Sequence, residues 1–145
     1  MCLKFCGPLT LVLVVIMNIE HLYRNSPSHP KWEGSFVERL HEYSEWDEQA
    51  FWLVHKDLVE LAKEFATVET VPKDIAARVV ALQKTVSTSF AANFNKNDGF
   101  VIDNLDTEKL HEFMERFDMA VLGVFTGQVL PESSFDLVSP LLVNN

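Results

Sequence analysis

The chain has 145 residues and a formal charge of −9, because 21 acidic side chains outnumber 12 basic ones. This length suits one domain, and such a domain buries about 68% of its unfolded surface when it folds. Hydrophobic residues make up 48% and charged residues 23% of the sequence, which excludes the composition of a disordered protein. The acidic excess argues against binding to a nucleic-acid backbone and is compatible with a solvated monomer or with a protein that has a basic partner.

Residues 1–16 (MCLKFCGPLTLVLVVI) differ from the rest of the chain, since they hold both cysteines and a single charge, Lys4. Their apolar run covers at most about 15 residues, whereas a membrane-spanning helix needs roughly 20. Three interpretations stay open: a dispensable leader or a start misassigned upstream of Met17, a secretory signal without the usual cleavage site, and a membrane anchor. The first predicts a cytoplasmic protein and the others an exported or anchored one. We expect a single cysteine-free helical domain over residues 17–145.

The spacing of apolar residues predicts helices in the first half of this domain. After a turn-rich segment at residues 25–30, Ser35 and Glu38 form a capping-box pattern, which predicts a short helix over about Phe36–Tyr43. Acidic residues then favour a helix that begins at Ser44 and runs to about Phe65. Its apolar positions recur every three or four residues and are Phe51, Val54, Leu58, Leu61, Ala62 and Phe65.

The second half predicts two further long helices. Pro72 suits the first position of a helix that runs to about Phe94, with a bend or an early end possible at its Thr- and Ser-rich residues 85–89. Residues 93–104 form the clearest loop, and Asp106 or Thr107 caps the next helix. The far end of this helix is weakened by glycine, and the apolar tail at residues 135–143 is expected as a short helix or an extended strap. The fold class is therefore all-α, an irregular helical bundle of about four main helices.

No motif for catalysis, metal binding or cofactor binding is present in the domain. The five histidines lack the His-x-x-x-His spacing with which a helix holds zinc, and the acidic residues around His41 are typical of a solvated face. Aligning Gly99 with the sixth position of a calcium loop places Phe94 and Leu105 where carboxylate ligands are required. A cysteine nucleophile, a Gly-x-Ser-x-Gly elbow and a glycine-rich phosphate loop are also missing. We therefore expect neither an enzyme nor a cofactor.

The segment Trp32–His55 is the strongest candidate for molecular recognition. It combines all three tryptophans and one tyrosine with six carboxylates. Trp32, Tyr43 and Trp46 lie off the apolar stripes of the helices, and rings surrounded by charge are typical of binding hot spots. The alternative is that these large rings close the ends of a small bundle.

The segment MNIEHLYRNSPSHPKWEGSFVERLHEYSEWDE resembles the immunity proteins of bacterial polymorphic-toxin and contact-dependent growth inhibition systems, which are likewise small, acidic and helical. The resemblance extends from Met17 to about Phe65 and includes no catalytic motif. It implies a cytoplasmic protein that neutralises a cognate toxin, such as a basic nuclease, by covering the toxin's nucleic-acid site with an acidic surface. The residues assigned to partner binding are Trp32, Glu42, Tyr43, Glu45, Trp46, Asp47 and Glu48.

Two alternatives of other classes stay open. One is a secreted or membrane-tethered helical binding protein of the cell envelope, in which membrane association would depend on the N-terminal leader; N-terminal sequencing of the natural protein would distinguish it. The other is a hydrolase that uses carboxylates and histidines on its helices, and bound divalent metal in the purified protein would support it.

Overall fold

The computed structural model describes residues 18–142, so the interpretations of residues 1–16 lie outside the described residues. Within this part the chain is helical and has no β-strand, which confirms the predicted all-α class. The elements are α1 (Glu20–Arg24), α2 (Phe36–Tyr43), α3 (Glu48–Phe65), α4 (Lys73–Phe94), α5 (Thr107–Thr126) and a 3-10 helix (Glu132–Ser134). Residues 128–142, which contain the 3-10 helix, are named the C-terminal strap. No helix among residues 18–142 has both the length and the apolar character needed to cross a membrane.

Helix α2 has the predicted bounds, and its N-terminus is closed by two reciprocal hydrogen bonds. The Ser35 hydroxyl accepts from the Glu38 backbone N–H at 3.3 Å. The Glu38 carboxylate reaches back and accepts from the Gly34 N–H at 2.9 Å, one residue before the position that a standard capping box would use. Glu38 is therefore buried in a structural role and takes no part in an acidic surface.

Helix α3 begins at Glu48, so the prediction that it begins at Ser44 is wrong. Ser44 adopts the left-handed conformation, with φ 53°, and ends α2. The Asp47 carboxylate accepts from the Ala50 N–H at 2.9 Å and serves as the N-cap of α3. Aspartate competes well for that position because its side chain satisfies an amide that has no partner within the helix. The four-residue connection between α2 and α3 carries Trp46 into the core.

The two later helices follow the predictions closely. Pro72 is the N-cap of α4 rather than its first helical residue, and the helix continues unbroken through residues 85–89 to Phe94. Asp106 caps α5 by accepting from the Lys109 N–H at 2.8 Å. Helix α5 passes through Gly123 and ends at Gly127, and no helix forms in residues 135–142 of the tail.

Helix α3 is central to the irregular bundle and packs most extensively against α5. The contact is close because small residues face each other: a Cβ on Gly123 would lie 3.3 Å from the Ala62 Cβ. Likewise, a Cβ on Gly127 would lie 2.6 Å from the Ala66 Cα. Helices α1 and α2 pack against α3 and α4 on another side of the bundle.

An aromatic cluster fills the core where α2, α3 and α5 meet. Trp46 contacts Phe36, Phe51 and Phe113, with ring centroids 4.9, 5.4 and 5.5 Å away. Asn104 holds the backbone of Trp46 from the loop before α5. Its side-chain oxygen accepts from the Trp46 N–H and its amide donates to the Trp46 carbonyl, both at 2.9 Å. These two hydrogen bonds, named the Asn104 clasp, hold Trp46 in the interior although it belongs to a short connection between helices.

Helix α1 was not predicted, and a buried carboxyl on α3 holds it in place. Asp57 is 1% exposed and accepts from the Leu22 N–H at 2.9 Å, so it caps a five-residue helix whose own N-cap, Ile19, offers no side-chain acceptor. Burial raises the pKa of Asp57 to about 7, although the hydrogen bond from Leu22 acts in the opposite direction. Between the unfolded pKa near 4 and this value, the folded protein binds more protons than the unfolded chain.

We therefore expect Asp57 to make the protein less stable as the pH rises from 5 to 8. The slope of the free energy of unfolding from this group is at most about 1.4 kcal/mol per pH unit. Asp57→Asn, which resembles the protonated form, removes this slope, so its cost in stability should be larger at pH 5 than at pH 8. Urea unfolding of both proteins at the two pH values measures the difference. An equal cost at both pH values would contradict the expectation, and Asp98→Asn in an exposed loop is the control.

Candidate functional site

The residues assigned to partner binding divide into buried and exposed groups. Trp46 is 1% exposed, so its assignment to a binding surface is wrong: its ring is part of the aromatic cluster. Trp52 is also buried, which leaves Trp32 as the one tryptophan with a partly exposed ring. For Trp46 and Trp52 the structure supports the alternative that large rings close a small bundle. Asp47 is half-buried and is engaged in capping α3.

Glu42, Tyr43, Glu45 and Glu48 remain at the surface around the end of α2 and the start of α3, and we name them the acidic edge. Among residues 18–142, Tyr43 has the largest exposed fraction of the large hydrophobic side chains, at 63%. The Glu45 carboxylate lies 3.6 Å from the Arg39 guanidinium, and both side chains are well exposed. That pair is weakly held in solvent, so Glu45 can exchange its contact for one with a partner.

A groove of about 390 Å³ lies beside the acidic edge, between the loop after α1, helix α2 and helix α4. We name it the α2–α4 groove. Its floor and walls are largely apolar, and Trp32 and Glu42 both line it. The volume lies within the range of ligand sites, which are concave and mostly apolar with a few polar groups. Two of the predicted binding residues thus belong to one concavity.

On the α4 side of the groove, the positive charge of Arg78 is balanced by the negative charge of Asp74. The Arg78 guanidinium lies 3.4 Å from the Asp74 carboxylate and 4.2 Å above the Tyr23 ring. The Tyr23 hydroxyl donates to Asp74 at 3.2 Å, and burial together with the charge of Asp74 raises the pKa of this hydroxyl. On the opposite side, Glu42 has a contact with His41 at 3.1 Å. No Lys or Arg side chain among residues 18–142 forms an ion pair with Glu42, whereas Asp74 is paired with Arg78.

The described residues are more acidic than the whole chain. They contain all 21 acidic side chains and 11 of the 12 basic ones, because Lys4 lies outside them, which gives a formal charge of −10.

Nowhere in residues 18–142 do three His, Cys, Asp or Glu side chains come close enough together to hold a metal ion. The Glu38 carboxylate, although close in sequence to His41, accepts a hydrogen bond from the Gly34 N–H and so is not placed to form a metal site with His41.

The sequence did not indicate the α2–α4 groove itself. Pro27, Asp74 and Arg78 line it from segments far apart in the chain, and each looks like an ordinary turn or helix-surface residue. The period of apolar residues assigns helices and their buried faces, but it does not indicate which helices become neighbours. A smaller concavity, of about 30 Å³, lies beside the buried Arg116 on α5 and was not indicated by the sequence either.

Two exposed features that suit contact with a partner lie side by side near α2: the acidic edge and the groove that Glu42 shares with it. Comparison of the chain with protein-family models, with curated proteins and with solved structures found no match.

Proposed function

We propose that this protein is a non-catalytic inhibitor, an immunity protein that binds and neutralises a cognate bacterial toxin in the cytoplasm. The observation that supports the proposal most is the α2–α4 groove, which opens beside the acidic edge and shares Glu42 with it. A concave apolar surface with a carboxylate at its margin suits a protruding basic side chain of a partner protein. The partly exposed Trp32 ring supplies an aromatic face for such a cation.

The charge of the protein supports a basic partner, such as a nuclease. A formal charge of −10 over residues 18–142 accelerates the encounter with a positively charged protein and repels nucleic acid. An acidic inhibitor that covers the cationic surface of a nuclease prevents binding of its substrate without any chemistry of its own. Electrostatic steering of this kind weakens as the salt concentration rises, because exposed charges are screened.

The test begins with the protein encoded directly upstream, which the proposal requires to be a toxin. Expression of its C-terminal domain should kill cells, and co-expression of this protein should protect them. The triple variant Glu42→Lys, Glu45→Lys, Glu48→Lys should bind the toxin with an association rate at least about tenfold lower, because repulsion replaces steering. Association rates at low and high salt measure the effect by surface plasmon resonance.

The matched control reverses three exposed carboxylates outside the acidic edge, Glu69, Asp118 and Asp136, and changes the net charge by the same amount. We expect this control to retain protection and most of the association rate. Equal losses in the two triple variants would show that net charge alone matters and would refute the assigned surface. A harmless upstream protein, or one that this chain does not bind, would refute the proposed function.

A further inference from the structure

The loop between α4 and α5 contains Asp98 followed by Gly99, and no other Asp or Asn in the sequence precedes a glycine. Both residues are exposed. At the base of the loop, the side-chain oxygen of Asn93 accepts a hydrogen bond from the Ile102 N–H at 2.8 Å. Asp98 and Gly99 therefore lie in the solvent-exposed part of a loop whose two ends are held together.

The Asp98 carboxyl group is turned along its own main chain. Its Oδ1 atom accepts from the Phe100 N–H at 2.9 Å, an arrangement that places the side chain beside the peptide bond between Asp98 and Gly99. The Asp98 N–H donates to the Asn95 carbonyl at 3.0 Å, so the residue itself is held in a turn. The Gly99 N–H, by contrast, donates to no protein acceptor in residues 18–142. The nitrogen next to the carboxyl group is thus not engaged within this part of the chain.

Glycine at position 99 removes the steric obstacle to an attack of this nitrogen on the carboxyl group. A Cβ built at Gly99 would have no atom within 4 Å, so no neighbouring segment covers the peptide bond. Glycine also has more conformational freedom than any other residue, which helps the nitrogen to reach the side-chain carbon of Asp98. Every other aspartate in the sequence is followed by a residue that carries a side chain. The combination of an exposed turn, an unengaged nitrogen and a glycine therefore distinguishes Asp98.

We propose that Asp98 is a modification site, which converts spontaneously to isoaspartate through a cyclic succinimide. The Gly99 nitrogen attacks the Asp98 Cγ and forms a C–N bond, while the hydroxyl of the protonated carboxyl group leaves with the amide hydrogen as water. A second water then opens the ring. Where this water attacks the former main-chain carbonyl, the peptide continues through Cβ and Cγ of Asp98, which is the isoaspartyl form. One water is lost and one is gained, so the reaction needs no oxidant or reductant.

The product has one additional main-chain atom in the loop and a free α-carboxylate at Asp98. Isoaspartyl methyltransferases, which use S-adenosylmethionine, esterify such a carboxylate, so an enzyme of this class is the partner that fits the modified loop. The hydrogen bond between Asn93 and Ile102 and the Asn104 clasp do not include the altered bond, so we expect the helices to stay in place. The modification is independent of the α2–α4 groove and of the proposed toxin.

The experiment incubates the full-length protein at neutral pH and physiological temperature for several weeks, with samples digested and mapped by chromatography and mass spectrometry. We expect the peptide that contains Asp98 to divide into two peaks of equal mass. The new peak should accept a methyl group from S-adenosylmethionine when an isoaspartyl methyltransferase is added. A minor species that is lighter by one water is the expected succinimide. Circular dichroism of the converted sample checks that the helices are retained.

Two variants test the mechanism. Gly99→Ala keeps Asp98 but adds a methyl group beside the attacking nitrogen, so isoaspartate should form several times more slowly. Asp98→Asn reaches the same ring with loss of ammonia, so its peptide gains the mass difference between an amide and an acid. Its conversion should accelerate as the pH rises, because the attacking nitrogen must lose its proton. Conversion of the natural sequence should slow over the same range, because the carboxyl group must be protonated to release water.

A synthetic peptide of residues 93–103 is the reference for the unfolded loop. Conversion of Asp98 in the folded protein at least as fast as in this peptide would support the proposal. Conversion of the peptide without isoaspartate in the folded protein would show that the loop protects the bond, which refutes it. Isoaspartate at another aspartate in place of Asp98, or an unchanged rate in Gly99→Ala, would also refute it.

Discussion

Replacing Trp46 with alanine is expected to lower the free energy of unfolding by about 4 kcal/mol. The residue is 1% exposed, and its ring contacts Phe36, Phe51 and Phe113. Removal of the ring leaves a cavity between three helices, which the surrounding structure can refill only in part. Chemical denaturation followed by circular dichroism measures the loss without relying on the fluorescence of the deleted indole.

Tyr43 is the matched control, because it lies three residues away in the same aromatic and acidic segment. Its side chain is 63% exposed, so Tyr43→Ala should change the free energy of unfolding by no more than about 0.5 kcal/mol. If the two variants lost similar stability, the assignment of Trp46 to the core and Tyr43 to the surface would be wrong. The same pair also distinguishes structural from recognition residues, since only Tyr43 belongs to the acidic edge.

The second large effect is expected at the ion pair that holds the C-terminal strap. Glu132→Gln leaves the positive charge of Arg116 buried without its counter-charge, and we expect a loss of about 3 kcal/mol in the free energy of unfolding. Glutamine keeps the shape and one acceptor oxygen, so the loss reports the missing charge rather than a cavity. Urea unfolding measures it.

The double variant Arg116→Met, Glu132→Gln removes both charges and should recover part of this loss, because no uncompensated charge remains. Glu60→Gln is the surface control, because Glu60 lies 3.6 Å from Lys56 in a partly exposed ion pair on α3. Removing the charge of Glu60 should lower the free energy of unfolding by about 0.5 kcal/mol or less. A double variant that is less stable than both single variants would contradict the expected coupling.

Much of the fold could be predicted because it depends on local patterns. The start of α2 follows from Ser35, the start of α5 from Asp106 and its end from Gly127, since each of these residues satisfies helix-end groups within its own segment. The start of α3 was placed four residues too early because Ser44 and Asp47 are both good N-caps. The clasp between Asn104 and the Trp46 backbone, which joins residues 58 positions apart, is a contact that no local pattern reveals.

The site was predicted less completely, and Trp46 shows the reason. It lies off the helical stripes because it belongs to a connection rather than to a helix, so its position in the periodic pattern carries no information about burial. Glu42 and Tyr43 are exposed at the end of α2, as their assignment to a binding surface requires. Arg116 occupies an inward position of α5, but its burial was not predicted because charged residues in helices are usually solvated. Its partner Glu132 lies in a segment without a helical period, so the ion pair was not predicted either.

The small residues between α3 and α5 have a mechanical consequence. Ala62 faces Gly123 and Ala66 faces Gly127, so two contacts with the same four-residue spacing set the register of the two helices. A slide of one residue along the axis, about 1.5 Å, would bring a Cβ against backbone atoms. A side chain larger than hydrogen at position 127 would meet the Ala66 backbone and force the ends of the two helices apart.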